Sequence, residues 1–178
     1  MRIITGIYKG RHFDIPRTFK ARPTTDFAKE NLFNVLNGYI DFEGASALDL
    51  FSGTGSISFE MLSRGCKPVV SVEMDAEHVQ FIKNCTQKLK AEGHIIVRKD
   101  VFRFIKTTQR QFDLIFADPP YQLEALPTIP DLIFEHDLLA TDGIFVFEHG
   151  KNHDFSQHPK AIDHRVYGSV NFTLFKQT

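Results

Sequence analysis

Short apolar runs alternate with longer amphipathic segments from residue 44 onward, and this rhythm constrains the fold more than any other feature of the sequence. The short runs are rich in β-branched and aromatic residues and are bounded by Gly, Pro or Asp, which predicts strands. The predicted strands are Ala47–Phe51, Val69–Glu73, Ile95–Arg98, Phe112–Ala117 and Ile144–Glu148. The intervening segments predict helices over Ser56–Arg64, Ala76–Ala91, Val101–Thr108 and Leu123–Leu139, the last one broken at Pro127 and Pro130. Strands that alternate with helices build a mostly parallel sheet covered on both faces, so the fold class is α/β.

The two ends of the chain depart from this rhythm. Met1–Pro16 alternates like a pair of strands, and Asp26–Leu36 carries the apolar stripe of a helix that Thr24, Thr25 or Asp26 can cap. The other end predicts an antiparallel hairpin, with strands over Arg165–Tyr167 and Asn171–Phe175 around the turn residues Gly168 and Ser169. We therefore predict a small N-terminal β/α appendage at residues 1–40, packed on a sheet domain at residues 41–178.

Positive charge is concentrated at the start of the chain. The whole sequence of 178 residues has a net charge of −1, which argues against a protein that coats nucleic acid through bulk electrostatics. Residues 1–30 nevertheless have a net charge of +4, from three acidic residues and seven basic ones: Arg2, Lys9, Arg11, Arg17, Lys20, Arg22 and Lys29. This segment is either a solvated basic face or an arm that contacts a polyanion such as RNA.

Cysteine and histidine usage indicates a reducing environment and no metal. The two cysteines, Cys66 and Cys85, do not form a CxxC pair, and we find neither a signal peptide nor a long apolar segment. His149 and His153 have helical spacing, but the Gly and Asn between them disfavour a helix, so we expect no metal site there. We expect a cytoplasmic, monomeric protein without a membrane partner.

The loop after the first predicted strand has the composition of a ligand-binding turn. It reads Asp49-Leu50-Phe51-Ser52-Gly53-Thr54-Gly55 and joins a buried strand to a helix, at the edge where open α/β sheets bind ligands. A Gly-x-Gly motif alone is a weak signal, because glycines occur in many turns. Its position between a strand and a helix favours a nucleotide-like cofactor.

Carboxylates end three successive predicted strands, at Asp49, Glu73 and Asp100. Glu73 is suited to accept hydrogen bonds from ribose hydroxyls and Asp100 from an adenine amine, although a solvated strand end and a helix N-cap also explain them. The negative charge disfavours a pyrophosphate and favours a sulfonium cofactor that carries a ribose and an ammonium. The candidate cofactor-binding residues are Asp49, Phe51, Gly53, Gly55, Glu73, Met74, Asp100 and Val101.

The tetrapeptide Asp118-Pro119-Pro120-Tyr121 follows the fourth predicted strand. Two prolines end any strand, so a rigid turn is the simplest interpretation. A turn alone needs neither the preceding Asp nor the following aromatic residue. We therefore interpret Asp118, Pro119 and Tyr121 as catalytic: the carboxylate and a proline carbonyl point at one spot, and the ring of Tyr121 stacks on a flat substrate.

Such an arrangement suits an exocyclic amine of a nucleic-acid base. The lone pair of that nitrogen is delocalised into the ring, so the amine is a poor nucleophile. Two acceptors that hold its N–H groups can expose the lone pair to a methyl donor, through positioning and electrostatics. The target base has to be flipped out or unpaired to reach these groups.

At this point the sequence resembles a known family, the bacterial methyltransferases that modify the N2 amine of a guanine in 16S ribosomal RNA of the small subunit. The resemblance covers essentially the whole chain. The segments that carry it are Arg2-Ile3-Ile4 to Gly10-Arg11, Arg22-Pro23-Thr24-Thr25-Asp26, Glu30 to Leu36, Asp49 to Gly55, Leu62 to Gly65, Glu73, Asp118 to Tyr121 and Glu148. Asp-Pro-Pro-Tyr is shared with DNA adenine methyltransferases, whereas the Arg-Pro-Thr segment points to this family.

The resemblance implies a Rossmann-like methyltransferase domain, S-adenosylmethionine as methyl donor, and the small ribosomal subunit or its assembly intermediate as partner. It places Gly53, Gly55, Glu73 and Asp100 at the cofactor and Asp118 and Tyr121 at the target base. RNA contacts fall on Arg22 and its neighbours Thr24 and Thr25, with Arg11 as a further candidate. Phe27 departs from the family, which has Arg at this place, and this weakens the inference that the helix binds RNA.

Three other functions remain open at the level of sequence. An adenine-N6 methyltransferase of DNA or RNA would use the same chemistry on another base. A nicotinamide-dependent dehydrogenase also has a Gly-rich loop and a strand-end acid, but Ser58 stands where its third Gly is expected. A non-catalytic RNA-binding assembly factor could share the fold, although the intact cofactor loop argues against it.

Overall fold

Seven strands form one sheet in the computed structural model, which describes residues 1–20 and 23–178. The strands are β1 (Ala47–Leu50), β2 (Val69–Glu73), β3 (His94–Arg98), β4 (Phe112–Ala117), β5 (Leu139–His149), β6 (Ala161–Tyr167) and β7 (Val170–Lys176). Their order across the sheet is β3-β2-β1-β4-β5-β7-β6. Strands β1 to β5 are parallel, while β7 runs antiparallel between β5 and β6. The predicted α/β sheet and its C-terminal hairpin are thereby confirmed.

Helices cover both faces of this sheet. They are α1 (Asp26–Leu36), α2 (Ser56–Ser63), α3 (Ala76–Leu89), α4 (Val101–Thr107) and α5 (Ile129–Glu135), with a 3₁₀ turn at Leu126–Thr128. Apolar residues of α1, α2 and α3 form the core on one face, and those of α4 and α5 form the core on the other. Fully buried aromatic side chains such as Phe33 and Phe59 each contribute roughly 1.5 to 3 kcal/mol by leaving water. No helix within the described residues is both long enough and apolar enough to span a bilayer.

The predicted helix over Leu123–Leu139 is wrong in its extent. Only α5 and the preceding 3₁₀ turn are helical, and Leu139 already belongs to β5. Pro127 and Pro130 lie in the first turns of these two short elements, where a missing N–H costs nothing, but neither can lie inside one long helix. Asp137 then adopts a positive φ of 52° and turns the chain into β5.

The strands expected in Met1–Pro16 are reduced to a short antiparallel pairing around the bridge between Arg2 and His12. Backbone hydrogen bonds join Ile3 N to the carbonyl oxygen of Arg11 at 3.0 Å and Phe13 N to that of Met1 at 2.9 Å, and the pairing does not continue beyond Ile3. The backbone N–H groups of Ile4 and Thr5 instead donate to the carboxylate of Glu60, at 2.9 and 3.1 Å. Buried N–H groups need an acceptor, and here a side chain of α2 supplies it in place of a neighbouring strand.

Lys29 is buried beside Glu60 and therefore does not belong to the basic surface expected from the sequence. Its side chain is 1% exposed, and its Nζ atom donates to the carbonyl oxygen of Arg2 and to Ser56 Oγ. Glu60 also accepts from Arg64 Nε at 3.1 Å. These contacts tie residues 1–29 to α2, so the first 40 residues share a core with the sheet domain; the division at residue 40 stays a prediction.

Candidate active site

A cleft of about 680 Å³ opens at the carboxyl ends of β1, β2, β4 and β5. From β1 the chain continues to β2 and β3 on one side of the sheet, and it then returns to β4 on the other side of β1. The connections after β1 and β4 therefore run in opposite directions. This topological switch point is where open α/β folds bind ligands, and the volume suits a nucleotide-sized molecule. Lys20, Pro23 and Thr24 from the N-terminal segment complete the wall.

Sheet register brings three carboxylates together at the bottom of this cleft. Ala117 of β4 pairs with Phe147 of β5, so the following residues, Asp118 and Glu148, lie side by side. Asp49 of β1 pairs with Phe116, two residues before Asp118, and its side chain therefore faces the same side of the sheet. All three residues line the cleft.

The shared burial of these carboxylates perturbs their protonation. Burial raises the pKa of Asp49 to about 7, although hydrogen bonds from Ser58 act in the opposite direction. Burial also raises the pKa of Glu148 to about 7. Burial and the neighbouring charges of Glu148 and Asp49 raise the pKa of Asp118 well above its ordinary value. An excess of uncompensated acid in a cleft marks a site prepared for a cation or for strong hydrogen-bond donors.

Two hydroxyl groups hold Glu148 in place. Tyr121 donates from its phenolic oxygen to Oε1 at 3.0 Å, and Thr24 donates from Oγ1 to Oε2 at 3.4 Å. Glu148 itself is only 5% exposed. Burial raises the pKa of Tyr121, together with the nearby charge and the hydrogen bond, so its hydroxyl stays a donor. The contact from Thr24 connects the N-terminal segment directly to the base of the cleft.

The glycine loop after β1 contains a residue with positive φ and is hydrogen-bonded to Glu73. Phe51 has a positive φ of 60°, which is strained for an aromatic residue and marks a backbone held by its surroundings. Gly53 N donates to Glu73 Oε2 at 2.8 Å, while Glu73 Oε1 accepts from the N–H groups of Met74 and Asp75. Glu73 therefore joins the glycine loop to the end of β2, and the residue lines the cleft.

Asp49 and Asp100 line the cleft and also accept hydrogen bonds from backbone N–H groups in the first turns of α2 and α4. Asp49 Oδ2 accepts from Ser58 N and Ser58 Oγ, at 3.1 and 2.6 Å, and fixes the first turn of α2. Asp100 accepts from Arg103 N at 3.0 Å, so the helix N-cap considered from sequence is present. Capping uses one oxygen of Asp100 and does not exclude a contact between the other oxygen and a ligand.

Most of the sequence-predicted site residues meet at this cleft. Those that line it are Thr24, Asp49, Phe51, Gly53, Glu73, Met74, Asp100, Val101, Asp118, Pro119 and Tyr121. Gly55 lies behind the loop, where an added Cβ would come within 3.0 Å of Phe59 and 3.1 Å of Ile82. Thr25 caps α1 through a hydrogen bond from Ala28 N. Arg22 lies outside the described residues.

Arg11 is distant from the cleft. Its Nη2 atom lies 3.5 Å from the carbonyl oxygen of Lys88, in the last turn of α3. Asp75, which precedes α3, lines the cleft, and thirteen residues of helical rise separate it from Lys88, roughly 20 Å. An RNA that contacts both Arg11 and the cleft would have to extend along the whole of α3.

Sequence reasoning missed Glu148 as a residue of the site. It was matched only by resemblance, because a single Glu near the end of a predicted strand carries no local motif. The signal that finds it is the pairing of β4 with β5, which places it next to Asp118. Lys20 and Pro23 were missed as cleft residues for the same reason, since a segment before α1 reaches the cleft only in the folded chain.

Comparisons with known proteins agree with this geometry. A family model described as conserved hypothetical protein 95 matches residues 1–176. The chain is 34% identical to ribosomal RNA small subunit methyltransferase D of Escherichia coli over 99% of its length and 90% of that protein. The corresponding protein of Haemophilus influenzae is 31% identical over 99% of this chain and 93% of the relative.

Solved structures share the architecture. A hypothetical protein of Thermus thermophilus, 27% identical, superposes with a TM-score of 0.86 over 100% of this chain and 99% of its own. The 16S rRNA N2 G1207 methyltransferase of the same species, solved with AdoMet and guanosine, has a TM-score of 0.71 at 17% identity, over 89% of this chain and 45% of its own. At that identity the likeness concerns the fold alone. Together the comparisons confirm the predicted S-adenosylmethionine-dependent methyltransferase fold and the family resemblance.

Proposed function

The chain belongs to the family described as conserved hypothetical protein 95, and on this premise we propose that it methylates the exocyclic N2 amine of a guanine in 16S ribosomal RNA. S-adenosylmethionine is the methyl donor, which agrees with the methyltransferase fold of the chain. The relatives named ribosomal RNA small subunit methyltransferase D support an RNA substrate. The partner is then the small ribosomal subunit or an intermediate of its assembly, which fits a role in ribosome biogenesis in the cytoplasm.

The acidic cleft is the observation that carries this proposal. Among the described residues Lys20 is the only Lys or Arg that lines it, so a pyrophosphate would meet carboxylates and little positive charge. The sulfonium and ammonium groups of the donor suit such a wall, and Glu73 and Asp100 suit its ribose and adenine. When bound, S-adenosylmethionine supplies an electrophilic methyl group.

The residues around Asp118 would prepare the target amine. Asp118 accepts one N–H of the amine, and a carbonyl in Pro119-Pro120 accepts the other, which turns the nitrogen lone pair out of the ring plane. Tyr121 lines the cleft and is 37% exposed, and its ring offers a stacking face for a base that has left its helix. Donors on the base favour the ionised form of Asp118, against the effect of burial.

Mass mapping of ribosomal RNA tests the proposed function. RNA from cells that lack the gene should lose one methylated guanine, and the purified protein with S-adenosylmethionine should restore it on isolated small subunits or their precursors. Loss of a methyladenine instead would favour the adenine-N6 alternative. An unchanged modification pattern, with no methyl transfer to any ribosomal RNA preparation, would contradict the proposal.

A further inference from the structure

Glu148 is a second buried carboxylate next to the one that would hold the target amine. It follows Phe147, the register partner of Ala117, so Glu148 and Asp118 occupy neighbouring positions on adjacent strands, which are roughly 4.8 Å apart. Both side chains border the same cleft. A planar base that presents its amine to Asp118 therefore presents the neighbouring ring atom to Glu148.

The anchoring of Glu148 leaves it able to accept further hydrogen bonds. Tyr121 and Thr24 each donate to a different oxygen of the carboxylate. An ionised carboxylate has about four lone-pair sites, so one site on each oxygen remains for a ligand. Because two hydroxyl groups already fix the side chain, little conformational entropy is lost when it accepts from a base.

The three amine-bearing bases differ in the atom beside the amine. In guanine the N2 amine lies between N1–H, a donor, and the lone pair of N3, so the edge formed by N1 and N2 offers donors side by side. In adenine the N6 amine neighbours the lone pair of N1, and in cytosine the N4 amine neighbours that of N3. A carboxylate opposite this atom attracts guanine and repels the other two bases. A site that hydrogen-bonds a particular donor rejects analogues that lack it, because its own buried acceptor is left unpaired.

We propose that Glu148 is the specificity-determining residue that selects guanine, by accepting the N1–H of the target base while Asp118 accepts from its N2 amine. This proposal rests on the proposed function, since it assigns the base that the same cleft takes. It also gives Tyr121 and Thr24 a second role, as positioning residues that aim the carboxylate.

The riboside of 2-aminopurine tests this contact. It keeps the amine of guanine at the same ring position, but its N1 carries a lone pair in place of a hydrogen and its C6 carries a hydrogen in place of the carbonyl oxygen. Substitution of Glu148 separates the two differences, because only the contact at N1 depends on that residue. The fluorescence of this riboside reports binding to the protein in the presence of S-adenosylhomocysteine, and guanosine and adenosine can be measured by competition. In the wild-type protein we expect guanosine to bind about tenfold to a hundredfold more tightly than 2-aminopurine riboside.

The substitution Glu148→Gln should remove this preference, because the amide can donate to the N1 lone pair as well as accept from N1–H. We expect the ratio of the two affinities to fall to within about threefold of unity. Glu124→Gln is the matched control, since Glu124 is exposed and outside the cleft wall, and it should keep the wild-type ratio. If Glu148→Gln fails to fold, the double variant Thr24→Val and Tyr121→Phe removes the two hydroxyl groups that fix Glu148. It should bring the ratio of the affinities for guanosine and 2-aminopurine riboside closer to unity.

Two measurements separate failure of this inference from failure of the proposed function. A wild-type ratio near unity, or a ratio that folded Glu148→Gln leaves unchanged, would overturn the role of Glu148 even if ribosomal RNA is methylated. Guanosine preference that depends on Glu148, without methyl transfer to ribosomal RNA, would support the base assignment and contradict the proposed substrate.

Discussion

The residue at which base and methyl donor would meet is Asp118, and two roles for it are chemically distinct. As a general base it would take a proton from the amine, and its raised pKa makes proton uptake easier. As an oriented acceptor it would only hold an N–H group. We expect the acceptor role, because the nitrogen becomes positively charged when it is methylated and then releases its proton to water without help.

Substitution of Asp118 distinguishes the two roles. Asn keeps an oxygen that accepts from the amine, so Asp118→Asn should retain measurable methyl transfer, whereas Asp118→Ala should lose about a hundredfold or more. The measurement is methyl transfer under single-turnover conditions, with cofactor affinity determined for each variant as the control. Equal and complete loss in both variants, with cofactor binding intact, would establish the general base instead.

At the scale of an element, the turn from β1 into α2 depends on Gly55. Its φ is +79°, and an added Cβ would press on Phe59 and Ile82, two fully buried side chains. Gly10 has nearly the same φ, +80°, with no heavy atom within 4 Å of an added Cβ. The two glycines thus share a positive φ and differ in how closely neighbouring atoms pack around them.

This pair predicts unequal costs for the same substitution. Gly10→Ala should lower the free energy of unfolding by about 1 kcal/mol, from backbone strain alone. Gly55→Ala should lose at least about 1 kcal/mol more, because the buried neighbours cannot yield without strain. Urea denaturation of both variants measures the difference, and equal losses would show that the core accommodates the methyl group.

The N-terminal segment is the element expected to contact RNA, and two of its cations lie at different ends of α3. Lys20 lines the cleft, while Arg11 lies beside the last turn of that helix. Each phosphate contact that is lost should reduce the slope of log affinity against log salt by about 1. Lys20→Ala should show this reduction, and Arg11→Ala should show it only if the RNA also follows α3.

Fluorescence anisotropy with a 16S ribosomal RNA fragment over a range of salt concentrations measures these slopes. Arg110→Ala is the control, because Arg110 is exposed just before β4, at the sheet edge opposite the cleft. An unchanged slope in both Lys20→Ala and Arg11→Ala would mean that the basic residues form only a solvated face.

For the whole molecule, the buried acids of the cleft make stability depend on pH. The pKa of Glu148 is about 7 in the folded protein against an ordinary value of 4.5, so the folded state binds this proton more tightly than the unfolded state. Its contribution to stability is fully present below about pH 4.5 and is lost as pH rises through about 7. The loss amounts to up to about 3 kcal/mol.

Glu148→Gln should therefore reduce the fall in unfolding free energy between about pH 5 and about pH 8, leaving the part that Asp49 and Asp118 contribute, and be at least as stable as the wild-type protein at the upper end of this range. Denaturant unfolding at several pH values measures the effect, and Glu124→Gln should follow the wild-type curve. A variant that keeps the full wild-type decline would show that Glu148 does not contribute to it.

Local sequence determined the elements and many of the site residues. The boundaries of α1, β2 and β4 agree with their periodicity, because their apolar positions, caps and flanking turn residues all favour the same structure. Asp49, Glu73 and Asp100 were found as strand-end acids, since the carboxyl ends of parallel strands meet at one edge, and Asp118 was found through the tetrapeptide that follows the fourth strand.

Tertiary structure decided the long-range contacts, which local sequence patterns do not predict. The alternation in Met1–Pro16 favoured strands, but their pairing ends at Ile3, and the carboxylate of Glu60, 55 residues or more away, accepts from the N–H groups of Ile4 and Thr5. Lys29 was counted as surface charge, although packing against the same carboxylate buries it. Glu148 entered the site through the register of β4 and β5. In each case the partner is distant in sequence, and only the folded chain brings such partners together.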